Sequence, residues 1–148
     1  MTAPDSPPRP SRTRRPRAEP SPQRLDAVKT GRRGEAVAQR LAEERGWQVW
    51  GRNVQVGRNE ADLVCVRRDD HGLRGLLVEV KTSKTLGRTG RIDEAFAQRL
   101  GPRQLAGLWR TAAALHEQLG LNGIEVVLVL VGITADREHA IWMDLEPF

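Results

Sequence analysis

Two acidic residues and a lysine interrupt apolar stretches of this chain at positions where they could act together. Asp62 opens the run Asp62-Leu63-Val64-Cys65-Val66, and seventeen residues after Asp62 the triplet Glu79-Val80-Lys81 ends a second apolar run. Both runs have the length and apolar character of buried β-strands. Carboxylates in such strands are unfavourable unless something compensates their charge. A divalent cation beside a lysine would supply that compensation.

Strand alternation indicates how these side chains could meet. In a strand over residues 59–67, Asp62 shares a face with Val64, and in a strand over 73–81, Glu79 and Lys81 share a face. If the two strands are hairpin neighbours, the start of the first lies beside the end of the second. Asp62 then comes close to Glu79 and Lys81. Two adjacent carboxylates repel, and the pKa of one rises unless a cation lies between them.

A few hard oxygen ligands that remain open to water suit Mg²⁺ or Mn²⁺ better than zinc. We expect such an ion to bind the carboxylates of Asp62 and Glu79 and the backbone carbonyl of Val80, with water and a substrate phosphate completing its shell. Lys81 would then orient the attacking water or help to deprotonate it, as in metal-assisted phosphodiester hydrolysis. The triplet alone is expected by chance in a chain this long, and a salt bridge between Glu79 and Lys81 is the simpler interpretation.

The elements around these strands follow from hydrophobic periodicity. A helix is predicted over residues 25–45, with Glu35 in the first turn after Gly34 and on the side of the small residues Ala38 and Ala42. From this residue alone, a glutamate that complements the helix dipole is the better interpretation of Glu35. The remaining elements are strands over 47–53, 59–67 and 73–81, a short helix over 93–100, a longer helix over 102–119, and strands over 124–133 and 140–145.

This order predicts an α/β fold: a mixed β-sheet flanked by helices, α-β-β-β-α-β with an extra C-terminal strand. The three consecutive strands with short links indicate an antiparallel meander. The strand over 124–133 is the most hydrophobic and is expected to be central, and the last strand is expected near an edge. Residues 84–91 are expected to form a turn; they include Lys84, Arg88 and Arg91 and no acidic residue.

Charge and composition divide the chain in two. Residues 1–24 are rich in Pro, Arg and Ser and carry +4 of the net charge of +5, which predicts a disordered tail before a domain over 25–148. The lone Cys65 excludes an internal disulfide and a multi-cysteine zinc site, and a small buried hydrophobe is its expected role. With no membrane span and no apolar core for a signal peptide, a cytoplasmic protein without a membrane partner is the expectation.

Several of these motifs together resemble a known family. Asp62 followed by Glu79-Val80-Lys81 resembles the signature of the PD-(D/E)XK nuclease superfamily. The wider set is similar to the YraN-like family of endonuclease-like proteins; it consists of Gly31-x-x-Gly34-Glu35-x-x-Ala38, Gly46, Asn53, Asn59-Glu60-Ala61-Asp62-Leu63 and Val78-Glu79-Val80-Lys81-Thr82. The resemblance covers about residues 31–133. It implies a restriction-endonuclease-like core, a metal site at Asp62 and Glu79 to which Glu35 contributes, and Lys81 as the catalytic lysine.

Three hypotheses of function stand at this point. The first is a Mg²⁺- or Mn²⁺-dependent endonuclease that hydrolyses DNA, including branched or junction DNA, with Glu35, Asp62, Glu79 and Lys81 at the catalytic site. Many nucleases that cut both strands of a duplex need to dimerise, and the sequence leaves open whether this chain forms a homodimer. The second is a catalytically silent module that binds nucleic acid or a partner protein, which the near-neutral charge of residues 25–148 favours. The third is a structural domain in which Glu79 and Lys81 form a strand-end salt bridge.

Overall fold

The computed structural model describes residues 21–83 and 100–146. These residues form two helices and five strands in the predicted order α-β-β-β-α-β, followed by one further strand. In chain order the elements are α1 (Pro22–Glu44), β1 (Gln48–Val56), β2 (Asn59–Asp69), β3 (Gly72–Ser83), α2 (Pro102–Gln118), β4 (Gly123–Ile133) and β5 (Glu138–Leu145). The α/β fold with a restriction-endonuclease-like core is thereby confirmed.

The five strands form one mixed sheet in the order β1-β2-β3-β4-β5. Strands β1, β2 and β3 pair antiparallel, which confirms the meander, and β5 pairs antiparallel with β4 at the edge. Strand β3 pairs parallel with β4, and α2 lies in the connection between them. The prediction that β4 is the central strand is wrong, because β3 is the middle strand. The apolar run of β4 shows that the strand is buried on both faces. Any interior strand of the sheet meets this condition, so the run does not identify the middle one.

The two helices cover opposite faces of the sheet. Helix α1 packs through Val37, Ala38 and Ala42, and α2 packs through Leu108, Ala112 and Leu115. Adjacent residues of each interior strand therefore enter different core clusters. On the α1 side the strands contribute Leu63, Cys65, Leu76, Val78, Val127, Val129, Val131 and Ile133, and on the α2 side Val56, Ala61, Val64, Leu77 and Val126.

Helix α1 begins earlier than its composition indicates. Ser21 is its N-cap and accepts a hydrogen bond from the backbone N–H of Arg24 over 3.3 Å, and Pro22 follows in the first turn. Both residue types favour a helix start, because serine caps a free N–H and proline has none to lose. Residues 22–24, which composition places in the tail, are therefore the first turn of α1.

Some expectations fall on residues outside those that the structure describes. They are the tail over residues 1–20, the basic turn at 84–91 and the short helix at 93–100 apart from its last residue. Within the described residues, neither helix combines the length and the apolar character needed to cross a membrane.

Cys65 lies in the middle of β2 and is fully buried, as the sequence predicts. Burial, and secondarily the charge of Glu43, raises the pKa of its thiol to about 12. Since the thiolate is the reactive form, we expect a disulfide reagent at pH 8 to react with native Cys65 about a thousandfold more slowly than with a free thiol. Thiol titration in buffer and in denaturant checks this, with Cys65→Ala as the blank. Rapid stoichiometric labelling without denaturant would contradict it.

Candidate active site

The register of the sheet places three polar residues in one transverse row. The β2–β3 ladder begins at Leu63↔Val78, so Asp62 lies opposite Glu79 when that register is extended by one residue. The β1–β2 ladder pairs residues 52↔63 and 54↔61, which leaves Asn53 opposite Asp62. Asn53, Asp62 and Glu79 therefore follow one another across β1, β2 and β3. At this row the pairing of β2 with β1 skips one pair, and the pairing of β2 with β3 ends.

Asp62 accounts for part of this irregularity, because its side chain accepts a hydrogen bond from a backbone N–H of β3 in place of a backbone carbonyl. Its Oδ2 accepts a hydrogen bond from the backbone N–H of Val80 over 2.8 Å. Strict alternation also fails around this residue, since Ala61 and Val64 both pack on the α2 side. Asp62 lines a pocket together with residues of α1. The prediction that Asp62 shares a face with Val64 is therefore wrong, because its carboxylate turns toward Val80 at the end of the β2–β3 ladder.

Glu79 contacts both of the partners that the sequence predicted for it. Its side chain is only 17% exposed, it is hydrogen-bonded to Asp62, and its Oε1 lies 3.5 Å from Nζ of Lys81. Burial and then the charge of Asp62 raise the pKa of Glu79 to about 7, against the opposing effect of Lys81. Burial also raises the pKa of Asp62, although the N–H of Val80 opposes this. Burial beside the carboxyl group of Asp62 therefore disfavours the ionised form of Glu79.

Glu35 approaches this pair from α1. The preceding residue, Gly34, packs directly against the side chain of Thr82 in β3, so the helix lies close to the sheet at this point. Burial and then the charge of Asp62 raise the pKa of Glu35, whereas a hydrogen bond from the side chain of Asn53 lowers it. Glu35 is thus close enough to Asp62 for their charges to interact.

A pocket of about 290 Å³ opens where α1 crosses the end of β3. Four of the five predicted site residues, Glu35, Asp62, Val80 and Lys81, line this pocket. The fifth, Glu79, lies next to it through its contacts with Asp62 and Lys81. The structure therefore brings the predicted residues into one region. The pocket is lined by Ala27, Thr30, Gly31, Glu35, Asp62, Val80, Lys81 and Thr82.

The donor set fits a hard divalent cation in its chemistry. Asp62 and Glu79 supply carboxylate oxygens that pair with no arginine among residues 21–83 and 100–146, and their raised pKa values indicate that a positive charge between them would be favourable. Within residues 21–83 and 100–146, no three Asp, Glu, His or Cys side chains are gathered closely enough to form a ready-made metal cluster. Asp62 and Glu79 are the two carboxyl groups in contact here, and Glu35 interacts with Asp62 through its charge.

Two features of the site carry no clear signal in the sequence. Asn53 lies in the middle of β1 with a φ of 48°, and its side chain lowers the pKa of Glu35. Glu60 is exposed, yet its charge acts on both Glu35 and Asp62. Asn53 and Glu60 both belong to the motifs shared with the YraN-like family, but the alternation of apolar and polar residues in the strands indicates a role for neither.

The raised pKa of Glu79 gives a testable dependence of stability on pH. The folded state binds the proton of Glu79 more tightly than the unfolded state, so the free energy of unfolding should fall as pH rises from about 4.5 to about 7. We expect Glu79→Gln to remove this fall and to be more stable than the wild type by about 2 kcal/mol at pH 8. Urea unfolding in the presence of a chelator at pH 5 and pH 8 measures the difference. The prediction is contradicted if the difference in the free energy of unfolding between Glu79→Gln and the wild type is the same at pH 5 and at pH 8.

Comparison with known proteins agrees with the motifs at this site. The model of the uncharacterised protein family UPF0102 matches residues 34–129, a span that contains Glu35, Asp62, Glu79 and Lys81. A UPF0102 protein of Anaeromyxobacter dehalogenans (strain 2CP-C) is 41% identical over 95 residues, which are 64% of this chain and 63% of that relative. The chain therefore spans less than two thirds of the length of that relative. On this match the chain belongs to the UPF0102 family, the YraN-like family that its motifs resemble.

Proposed function

We propose that this protein is a metal-dependent nuclease that hydrolyses phosphodiester bonds in DNA. The observation that carries the proposal is the contact of two half-buried carboxyl groups, Asp62 and Glu79, with each other and with Lys81 beside an open pocket. Ion pairs that only stabilise a fold combine opposite charges, whereas this site concentrates negative charge and keeps one lysine. Such an arrangement costs stability and is typical of sites that bind a cation and a phosphate.

Each side chain has a role in this proposal that follows from its position. Asp62 and Glu79 would hold Mg²⁺ or Mn²⁺, and the ion when bound would supply Lewis-acid activation of the scissile phosphate. The N–H of Val80 fixes the orientation of the Asp62 carboxylate, since it donates to Oδ2. Lys81 lies in the pocket wall with a third of its side chain exposed, where its ammonium can bind a phosphate oxygen or orient a water.

The test is cleavage of branched, nicked and single-stranded DNA by the full chain in the presence of Mg²⁺, Mn²⁺ or a chelator. We expect metal-dependent cleavage that falls about 100-fold or more in Glu79→Gln and in Lys81→Met. Glu44→Gln is the matched control, because Glu44 is an exposed glutamate at the far end of α1. Cleavage by the two site variants at the rate of this control would refute the proposal.

A second candidate is a DNA-binding module that has kept the nuclease fold without catalysis. One observation favours it: the described acidic side chains do not form a ready-made cluster of three ligands. This candidate predicts DNA binding that weakens steeply with salt, is unchanged by a chelator and is accompanied by no cleavage. Binding assays at several salt concentrations, with and without Mn²⁺, distinguish it from the nuclease.

A further inference from the structure

The first half of α1 contributes nothing to the hydrophobic core. The helix begins at Pro22, but its first buried residue is Gly34, so about three turns precede the packed half. Residues 22–29, 32 and 33 are exposed, and residues 30 and 31 are half-buried. Most of the stability of a helix in a protein comes from packing, so a half without buried residues is not explained by the core. Its side chains are available to a binding partner.

Three cationic side chains lie along one side of this exposed half. Arg24, Val28 and Arg32 are spaced by four residues, so they follow one another along the helix surface. Leu25 and Lys29, which are also four apart, lie directly beside them. All five side chains are exposed. We call this surface, which consists of Arg24, Leu25, Val28, Lys29 and Arg32, the basic face of α1.

The cations of the basic face are not neutralised by the part of the fold that the structure describes. Within residues 21–83 and 100–146, none of its three cationic side chains lies within ion-pair distance of an acidic group. The next residue, Arg33, differs, because its Nη2 lies 3.2 Å from Oε1 of Glu138 in β5. Residues 22–33 contain four basic residues and one acidic residue, Asp26, and so carry a net charge of +3. Clustered cations of this kind favour an anionic partner.

The basic face runs alongside the pocket of the candidate active site. Ala27, Thr30 and Gly31, which belong to the same turns of α1, line that pocket together with Lys81. Arg24 precedes Gly31 by seven residues, which is about 10 Å along the helix. This length corresponds to about three nucleotides along the axis of B-DNA. A strand with one phosphate beside Lys81 therefore has neighbouring phosphates within reach of the basic face.

We propose that the basic face of α1 binds the phosphate backbone of DNA on one side of the cleaved bond. The inference rests on the proposed nuclease function and adds where the substrate lies. The three cations neutralise phosphates, and Leu25 and Val28 contact the sugars between them. An anionic membrane fits this surface less well, because helices that lie on membranes separate their apolar face from their charged face. Here both kinds of side chain share one side of the helix.

The experiment measures the DNA affinity of the full chain by fluorescence anisotropy at several salt concentrations, with a nicked duplex and a chelator that prevents metal-dependent cleavage. Arg24→Gln/Arg32→Gln removes two charges of the basic face. Arg33→Gln/Arg40→Gln is the matched control, because it removes two charges of α1 that lie 3.2 and 3.9 Å from Glu138. We expect the first variant to bind about 10-fold or more weakly at about 100 mM salt, with a salt dependence of log K that is shallower by about 2. The control should bind like the wild type.

Cross-linking locates the DNA independently of the charge of the protein. Native Cys65 is buried, so a thiol introduced on the surface can be labelled alone with a photoreactive group. Val28→Cys places this group on the basic face, and Glu117→Cys places it at an exposed position of α2, on the other side of the sheet. We expect a strong cross-link to DNA from residue 28 and only background from residue 117. Equal cross-linking from both positions would overturn the proposal.

The outcomes separate this inference from the proposed nuclease function. Equal DNA affinities in the two double variants would overturn the inference, and DNA cleavage by the wild type with metal would leave the nuclease proposal standing. The expected loss of affinity in a protein that cleaves no DNA would refute the nuclease and support the basic face. Absence of DNA binding by the wild type would refute both. If anionic vesicles instead bind the wild type but not Arg24→Gln/Arg32→Gln, while DNA affinity is unchanged, the partner is a membrane and the inference is wrong.

Discussion

Asp62→Asn is expected to lose at least about 100-fold in cation affinity and in DNA cleavage while it remains folded as stably as the wild type. The variant removes the negative charge but keeps an oxygen that can accept from the N–H of Val80, as Oδ2 of Asp62 does over 2.8 Å. It also removes the repulsion between Asp62 and Glu79. Calorimetric titration with Mn²⁺ and a cleavage assay measure the two losses.

Asp62→Ala is the matched comparison, because it removes the charge and the acceptor together. The half-buried N–H of Val80 then has no acceptor, which costs about 1–3 kcal/mol relative to Asp62→Asn. We expect a melting temperature lower than that of Asp62→Asn by several degrees, with cleavage reduced in both variants. Equal melting temperatures would show that the hydrogen bond to Val80 does not hold the end of β2. Cleavage in Asp62→Asn at the wild-type rate would contradict the proposed role of the carboxylate.

The same substitution at two glycines of α1 is expected to change stability in opposite directions. A Cβ at Gly34 would contact Oγ1 of Thr82 too closely and would lie 3.1 Å from both Cβ and Cγ2 of that residue. Gly34→Ala is therefore expected to destabilise the fold by about 1–3 kcal/mol, despite the better helix propensity of alanine. At Gly31 a Cβ would meet nothing within 4 Å, so Gly31→Ala should stabilise by about 0.5–1 kcal/mol.

Urea unfolding of the two variants measures this contrast. Thr82→Ala in the Gly34→Ala background removes Oγ1 and Cγ2 and should recover part of the lost stability. Changes of the same sign at both glycines would show that α1 does not approach β3 as closely as the contact of Gly34 with Thr82 indicates. Because Gly34 precedes Glu35, loss of this contact would also move Glu35 away from Asp62.

Much of the fold and part of the site follow from the sequence, because they depend on patterns that repeat. The apolar periodicity gives the order of the elements, and the meander of β1, β2 and β3 brings Asp62 next to Glu79 by register. The face of Asp62 does not follow, since alternation assumes regular pairing and its bond to Val80 replaces that pairing. The same holds for the backbone of Asn53, because one residue with a positive φ leaves no mark on periodicity.

Two other predictions, the start of α1 and the position of β4 in the sheet, are wrong for a similar reason. Composition does not indicate the start of α1, because the Pro and Arg content of the tail continues through residues 22–24, where Ser21 and Pro22 already start the helix. Hydrophobicity predicts that β4 is the central strand, because its residues are the most apolar. The hydrophobicity of a strand indicates whether its faces are buried under other elements. It does not indicate the order of the strands, which depends here on the parallel crossover from β3 to β4.

The transverse row of Asn53, Asp62 and Glu79 also bears on how the chain folds. All three residues lie in one continuous meander, so two hairpin turns bring them together with little loss of loop-closure entropy. The parallel pairing of β3 with β4 and the packing of α1 join parts of the chain that are far apart in sequence. Local contacts of the first kind form faster than distant ones. We therefore expect the two carboxylates to approach each other early in folding, before the rest of the domain can compensate their charge.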